Sequence, residues 1–197
     1  MAELDPWLET TPEGYILVAE HDPAWATTFE AIKAELVAAL DAAGAPYLAI
    51  EHVGSTSVPG LAAKPVIDVD IIVRAEDVDA ASAALEAVAY LPMGTLGLDD
   101  RWAFREPDVP LRNVYVTVDG CLALRNHLAV RDTLRRDPAL AAEYAAVKRE
   151  LGQRYKIGEI DAYVAGKSDV LQRVLEAAGI SADDRAVIAG GNQLPDE

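Results

Sequence analysis

Apolar positions along the chain follow two different periods. From Asp22-Pro23, a cap residue followed by proline, they recur every three or four residues as far as Gly44, which predicts an amphipathic helix. Runs rich in β-branched residues and bounded by turn residues predict strands. The strands are predicted over residues 15–20, 47–53, 66–73 and 112–118. The first part of the chain is therefore expected to mix strands with helices.

From Cys121 onward the pattern is helical. Asp137-Pro138 repeats the cap-and-proline start, and a last helix is predicted over 159–178, ending before Gly179. An earlier helix is predicted over 76–89, whereas 92–110 is rich in turn residues and predicts no regular element. This order predicts an α+β fold, in which helices pack on a small mixed sheet and the C-terminal part is helical.

The periodic pattern covers one stretch of the chain and leaves both ends out. Residues 15–180 contain no repeat and no linker, so they are predicted to form a single domain. Residues 1–14 contain two prolines, and residues 181–197 combine acidic, glycine and proline residues without a sustained period. Both ends are predicted to be flexible, and the second is an acidic tail.

Charge and composition narrow the classes of partner. The 197 residues include 17 Lys and Arg against 33 Asp and Glu, a net charge of -16, which disfavours nucleic acid and anionic membranes as partners. The single Cys121 cannot form an intramolecular disulfide. Neither a signal peptide nor an apolar run of about 18 residues is found. A cytoplasmic protein is predicted, and its oligomeric state is left open.

Two aspartates interrupt the strand predicted over 66–73. Asp68 and Asp70 point to the same face, ~6.6 Å apart along the strand. The other positions of this strand are apolar on both faces, which is typical of a central strand. Two such carboxylates would gain a proton, pair with arginine or share a cation, unless their face meets solvent. Mg²⁺ (or Mn²⁺) is a cation that prefers carboxylate oxygens.

The residues that precede this strand are candidates for phosphate binding. Gly54 lets a ligand approach the backbone, and the hydroxyls of Ser55, Thr56 and Ser57, with successive amide N–H groups, can bind phosphate oxygens. A plain turn would use similar residues. A phosphate-binding turn beside metal-binding carboxylates is what phosphoryl or nucleotidyl transfer requires.

Several basic residues are candidates for binding an anion. Lys167 interrupts an apolar face of the last predicted helix, so it either extends to the surface or reaches a buried anion. Arg131 and Arg135 are one helical turn apart and could bind an anion together, although exposed helix charges are common. Lys64 lies at the start of the aspartate strand.

Several motifs match one known family. They are HVGSTSVPGLAAKPVIDVD at 52–70, the preceding Trp25, RDTLRRDPALAAEYAAVKREL at 131–151, and Tyr163-x-x-x-Lys167. In these motifs the chain resembles the GrpB family of the nucleotidyltransferase fold superfamily, over residues 15–178. The resemblance implies a nucleotidyltransferase-like fold in which Asp68 and Asp70 are catalytic and hold Mg²⁺ on a triphosphate. It also implies that Gly54 and Ser55 contact the phosphates, and Lys148 matches the family's later helix.

The general base is not assigned by the sequence. Active enzymes of the superfamily commonly have a third carboxylate on a later strand, and the strand predicted over 112–118 has none. Asn113 or Tyr115 lies there instead, where many GrpB relatives have histidine. His127 is too far from His21 in the sequence to suggest a zinc site, and it receives no role.

The leading hypothesis is a Mg²⁺-dependent nucleotidyltransferase-like enzyme, which transfers a nucleotidyl group from a nucleoside triphosphate to a small acceptor. One alternative is a nucleotide- or anion-binding module without catalysis. Another is a biosynthetic enzyme with metal-independent chemistry on an anionic metabolite. On the leading hypothesis, Asp68→Asn and Asp70→Asn each abolish Mg²⁺-dependent nucleotide binding and leave the fold intact. The acceptor and the base preference are left open.

Overall fold

The computed structural model describes residues 9–106 and 112–191. In chain order, its helices and strands are α1 (Ala24–Ala43), β1 (Ala49–Val53), β2 (Ile67–Val73), α2 (Val78–Ala87), β3 (Leu91–Gly94), β4 (Arg101–Arg105), β5 (Arg112–Val118), α3 (Leu122–Arg136), α4 (Pro138–Arg154), α5 (Ile160–Ala165), α6 (Ser168–Ala177) and α7 (Ala182–Gly191). The predicted α+β class with a helical C-terminal part is confirmed. Among these helices, none is long and apolar enough to cross a membrane.

The five strands form one mixed sheet in the order β1-β2-β5-β4-β3. Strands β2 and β5 are parallel, and the other neighbours are antiparallel. In the register of β2 and β5, Asp68 pairs with Asn113 and Asp70 pairs with Tyr115. Paired residues of neighbouring strands point to the same face, so the two aspartates share one face of the sheet with Asn113 and Tyr115.

The opposite face of β2 belongs to the main hydrophobic core. Ile67, Val69, Ile71 and Val73 are at most 3% exposed and pack with apolar residues of α1 and α2. On the aspartate side, α3, α4 and α6 pack around the segment that joins β1 to β2 and form a second apolar cluster. Helices therefore cover the sheet on both sides, and polar side chains on the second side are enclosed between them.

Both predicted cap-and-proline helix starts are confirmed by hydrogen bonds. The Asp22 carboxylate accepts from the Ala24 N–H at 2.8 Å at the start of α1. The Asp137 carboxylate accepts from the N–H groups of Ala139 and Leu140, each at 3.0 Å, at the start of α4. These bonds satisfy amide donors that have no partner inside the helix.

The strand predicted over 15–20 is wrong. This segment makes only isolated bridges, which join Ile16 to Thr10, Tyr15 to Lys156 and Ala19 to Ala63. Ile16 is 1% exposed and packs against Leu151 and Tyr163. Its apolar residues therefore reflect burial against α4 and α5, and the segment adds no strand to the sheet.

Two strands form where the sequence predicted none. Strand β4 pairs with β5 and contributes Phe104, which is 2% exposed, to the main core. Strand β3 is the edge of the sheet and is exposed at all four positions, which include Pro92 and Gly94. In β3, pairing with β4 overrides the low β-propensity of Pro92 and Gly94. Residues 107–111 of the segment lie outside the described part.

The helix predicted over 159–178 is two helices, α5 and α6, with a break at Gly166 and Lys167. At the break, Gly166 lies close to α4. A Cβ atom on Gly166 would lie 2.6 Å from Leu151 Cδ2, so glycine permits this close approach. A continuous helix was predicted because no proline marks this break. Even so, Tyr163 and Lys167 remain neighbours across it.

The acidic tail predicted to be flexible from residue 181 is helical over its first part. Helix α7 starts after Ser181, whose hydroxyl accepts from the Asp184 N–H at 3.1 Å. Asp184 also forms a salt bridge with Arg125 of α3 at 3.0 Å, and Ile188 is buried. The sequence prediction missed the serine cap. Residues 192–197, like residues 1–8 of the predicted N-terminal segment, lie outside the described part.

Candidate functional site

A cavity of about 260 Å³ lies where the segment between β1 and β2 meets β5, α4 and the break between α5 and α6. It is lined by Gly54, Ser55, Thr56, Lys64, Val66, Asp68, Asn113, Tyr115, Tyr144, Lys148, Tyr163 and Lys167. Seven of the ten site residues predicted from the sequence are in this lining. The structure places Ser57, Asp70 and Arg131 outside it.

Gly54 begins a tight turn that lies directly against Asp68. Its φ of 70° and ψ of -173° belong to a region that only glycine adopts readily. A Cβ atom here would lie 2.2 Å from the Asp68 Oδ2 atom. Glycine is therefore required both for the backbone conformation and for the carboxylate to approach the turn.

The three hydroxyls that follow Gly54 have different roles. The Ser57 hydroxyl donates to the Gly54 carbonyl at 2.6 Å, and the Thr56 hydroxyl donates to the Val66 carbonyl at 3.1 Å. These two side chains hold the turn in place. Ser55 lies beside the Tyr144 hydroxyl in the cavity, so it is the hydroxyl best placed to contact a ligand.

Gly54→Ala is expected to lower the free energy of unfolding by about 1–3 kcal/mol and to displace Asp68. The added methyl group forces strain at a positive φ and collides with the carboxylate. Urea unfolding followed by circular dichroism measures the loss. Gly158→Ala is the matched control, because a Cβ atom there meets nothing within 4 Å. Equal stability of the two variants would contradict this account of the turn.

Three lysines converge on the cavity, and each lies over the ring of a tyrosine. The Nζ atom of Lys148 is 4.3 Å from the centre of the Tyr144 ring. The Nζ atoms of Lys167 and Lys64 are 5.0 and 5.5 Å from the centre of the Tyr163 ring. Tyr144 and Lys148 are one turn apart on α4, so they face the cavity together.

Lys148 carries a buried amino group with no hydrogen-bond partner among the described residues. The residue is 2% exposed. Burial, together with the charge of Lys167, lowers the pKa of Lys148 well below its usual value. Burial also lowers the pKa of Lys167 to about 8, against the opposing effect of Asp68. Burial without an acceptor makes the charged form of Lys148 costly, and an anion in the cavity would stabilise that form.

Asp68 is the carboxylate in the cavity. Its Oδ1 atom accepts a hydrogen bond from the Asn113 Nδ2 atom at 2.8 Å. Burial raises the pKa of Asp68, partly offset by the Asn113 hydrogen bond. Asn113 of β5 thus lies beside Asp68, and it orients the Asp68 carboxylate without adding charge.

Asp70 is engaged away from the cavity. It is 0% exposed, and it accepts from the Thr117 hydroxyl at 3.2 Å and contacts His127 Nδ1 at 2.9 Å. Burial acts to lower the pKa of His127, but the Asp70 carboxylate outweighs it, so the pKa is raised. Each Asp70 oxygen therefore has an internal partner.

The contacts of Asp70 bear on the prediction that Asp68 and Asp70 together bind a metal ion. Among the residues that the structure describes, no group of three His, Cys, Asp or Glu could hold a metal ion. The donor set fits Mg²⁺ at Asp68, which lines the cavity, and does not fit a pair of aspartates while Asp70 is bound to His127 and Thr117. Asp68 and Asp70 are thus not equivalent, although the sequence treats them alike.

Arg131 contacts β1 and Arg135 contacts the Gly54 turn. Arg131 donates to the Glu51 carboxylate at 2.7 Å and to the His52 carbonyl at 3.1 Å. Arg135 donates twice to the Ser57 carbonyl, at 3.1 and 2.7 Å. Because α3 packs over the end of β1, these two guanidinium groups bind the Glu51 carboxylate and the backbone carbonyls of His52 and Ser57.

A comparison with protein families supports the resemblance in the motifs. The family model described as GrpB protein matches residues 15–177. The chain belongs to the GrpB family. A crystal structure of the conserved protein GrpB from Enterococcus faecalis is similar, with a TM-score of 0.63 and 33% identity over 80% of this chain and 98% of that chain.

Two proteins similar to this chain in sequence are named UPF0157 proteins. UPF0157 protein SCO7215 of Streptomyces coelicolor is 36% identical over 82% of this chain and 83% of its own length. UPF0157 protein YqkA of Bacillus subtilis is 32% identical over 85% of this chain. The chain spans 48% of the length of YqkA.

Sequence reasoning missed His127 as a residue of this GrpB site region. His127, Arg131 and Arg135 follow one another at steps of four in α3, so they share one face of the helix. All three make hydrogen bonds to β1, β2 or the Gly54 turn. This spacing was the available signal, and it indicates a polar helix face turned toward the sheet.

Proposed function

We propose that this GrpB-family protein binds the phosphate groups of a nucleoside triphosphate in the cavity and transfers a nucleotidyl group to a small acceptor. One observation carries the proposal: the Lys148 amino group is buried without a hydrogen-bond partner among the described residues, in a cavity shared with Lys167 and Lys64. A phosphate chain would supply the missing acceptors and the missing negative charge.

The motif pattern agrees with this proposal. Gly54-Ser55 and Asp68-Val69-Asp70 both belong to the motif at 52–70 that carries the family resemblance, and the structure brings Gly54, Ser55 and Asp68 to one cavity. Phosphate oxygens would approach the backbone at Gly54, where no side chain obstructs them. Ser55 would contribute a hydroxyl from the same turn.

A divalent cation would enter this site with the nucleotide. Asp68 would hold Mg²⁺ (or Mn²⁺), since Mg²⁺ is commonly bound by one or two carboxylates together with substrate phosphates and water. When bound, the metal would stabilise negative charge on the transferring group. The Asn113 amide would keep the Asp68 carboxylate oriented for this role.

Thermal unfolding with ATP, GTP, CTP and UTP, each with and without Mg²⁺ or Mn²⁺, tests nucleotide binding. A ligand at about 100 times its Kd stabilises the folded state by about 2.7 kcal/mol, which raises the Tm by about 5 °C or more. We expect at least one triphosphate to produce this rise with metal, and Asp68→Asn to reduce it. No rise with any nucleotide would contradict the proposal.

Transfer itself is tested by release of pyrophosphate from the bound nucleotide across a panel of small acceptors. A second candidate function is nucleotide or anion binding without transfer. It is favoured by Asn113 in place of a third carboxylate and by the engagement of Asp70 with His127. Nucleotide-dependent stabilisation without pyrophosphate release would favour this second function over the first.

A further inference from the structure

We infer that the lysines of the cavity bind a phosphate chain directly and need no divalent metal to do so. The inference rests on the proposed function in that the anion is taken to be a phosphate chain. It goes further because it assigns the binding energy of this part of the ligand to protein cations. The metal would then serve the transfer step at Asp68 and not the capture of the anion.

The charges that line the cavity support this inference. Lys64, Lys148 and Lys167 face it, and Asp68 is the one acidic residue in its lining among the described parts of the chain. With every group ionised, the lining carries an excess of positive charge, so an anion is attracted before any metal is added. A metal site would instead show an excess of carboxylates.

Lys148 is the residue that singles out an anion as the ligand. It is 2% exposed, and among the described residues its amino group finds a tyrosine ring but no hydrogen-bond acceptor. An ammonium group offers three donors. A phosphate oxygen would satisfy this group directly, whereas a metal ion in the same place would add to the positive charge.

The carboxylate side of the site offers too little for a metal-dominated interaction. Asp70 is held by Thr117 and His127 and does not line the cavity. Only Asp68 remains for a cation, and it already accepts a hydrogen bond from Asn113. Among the described residues the cavity therefore presents three lysines and one carboxylate to the ligand, which is the reverse of a two-metal site.

The size of the cavity indicates which part of a nucleotide it encloses. Its volume of about 260 Å³ is below the ~300–1,000 Å³ typical of pockets that enclose a whole small-molecule ligand. A phosphate chain fits this space better than a complete nucleotide, whose base and sugar would lie outside. Inorganic tripolyphosphate is therefore a sufficient probe of the inference.

The experiment is a calorimetric titration of the full chain with tripolyphosphate, in buffer with EDTA and in buffer with Mg²⁺. We expect binding in EDTA, with a Kd within about threefold of the value in Mg²⁺. Lys148→Met should weaken binding at least about tenfold, as loss of a charge-assisted contact does. Lys167→Gln is the second variant and should weaken binding as well. Lys33→Met, a lysine outside the cavity lining, should bind as the wild type does.

Each other outcome has a defined meaning. Binding of tripolyphosphate only in the presence of Mg²⁺ would overturn the inference and leave the proposed function standing. Unchanged affinity in both Lys148→Met and Lys167→Gln would show that the anion binds elsewhere and would also overturn it. Failure of tripolyphosphate and of all four nucleoside triphosphates with Mg²⁺ to bind would contradict the inference and the proposed function together.

Discussion

Replacing Asp70 with alanine is expected to lower the free energy of unfolding by about 3–5 kcal/mol, the cost of breaking a buried charged pair. Asp70 is 0% exposed and is the partner of both Thr117 and His127. Its removal leaves a buried hydroxyl and an imidazole without an acceptor, and it also opens a cavity in the core. The folded state loses interactions that water cannot replace.

The same replacement at Asp68 is expected to change the free energy of unfolding by less than about 1 kcal/mol. Asp68 faces the cavity, and burial raises its pKa, which means that the ionised carboxylate is held at a cost. Losing it removes one hydrogen bond with Asn113 and the attraction to Lys167, and it relieves that cost, so the effects largely offset one another. Stability and ligand binding are therefore expected to separate between the two aspartates.

Urea unfolding of the wild type, Asp68→Ala and Asp70→Ala measures this difference. The midpoints, with unchanged m-values, give the two free-energy changes. Asp68→Ala should keep the fold and lose the metal-dependent part of nucleotide stabilisation. If Asp70→Ala were as stable as Asp68→Ala, the Asp70–His127 contact would not be the structural interaction described above. That result would instead support the expectation from the sequence that Asp70→Asn leaves the fold intact.

The sequence predicts local features of this fold well where a local cause exists. Asp22-Pro23 and Asp137-Pro138 set the starts of α1 and α4 through their own hydrogen bonds, so both are confirmed. The aspartate strand β2 was predicted from a run of β-branched residues bounded by turn residues, which is a property of consecutive residues. These predictions needed no knowledge of distant contacts.

Features that depend on distant partners were missed. Strand β4 exists because β5 pairs with it, and nothing within residues 101–105 distinguishes it from a loop against the sheet. The division of the last predicted helix into α5 and α6 depends on the approach of Leu151 to Gly166. The local periodicity of the sequence carries no information about either contact. It therefore predicted one continuous helix and no strand at 101–105.

In the candidate site, too, some residues could be assigned from local motifs, whereas the roles of others depend on distant contacts. Gly54 and Ser55 were assigned from a local motif, and the structure places both in the cavity lining. The role of Asp70 could not be assigned in this way, because it depends on His127, 57 positions later in the chain. Arg131 was a candidate for binding the anion, and in the structure it donates a hydrogen bond to Glu51, 80 positions earlier in the chain.

Lys148→Met is expected to raise the free energy of unfolding of the ligand-free protein by about 1–3 kcal/mol. The substitution keeps an unbranched side chain of similar length and removes an amino group that is buried without a hydrogen-bond partner among the described residues. A buried polar group without a hydrogen-bond partner costs about 1–3 kcal/mol, and the substitution removes this cost. If the proposed function holds, the wild-type lysine lowers the stability of the ligand-free protein, as residues of binding sites often do.

The pH dependence of this gain gives an independent check. The pKa of Lys148 lies well below the 10.5 of the unfolded chain, so the unfolded state binds more protons at alkaline pH and wild-type stability rises with pH. Lys148→Met lacks this contribution, and its advantage should be larger at pH 7 than at pH 10. Urea unfolding at both values, with Lys33→Met as the control, measures it. A Lys148→Met protein less stable than the wild type at pH 7 would show that the lysine stabilises the fold, and the case for a ligand anion at Lys148 would lose its basis.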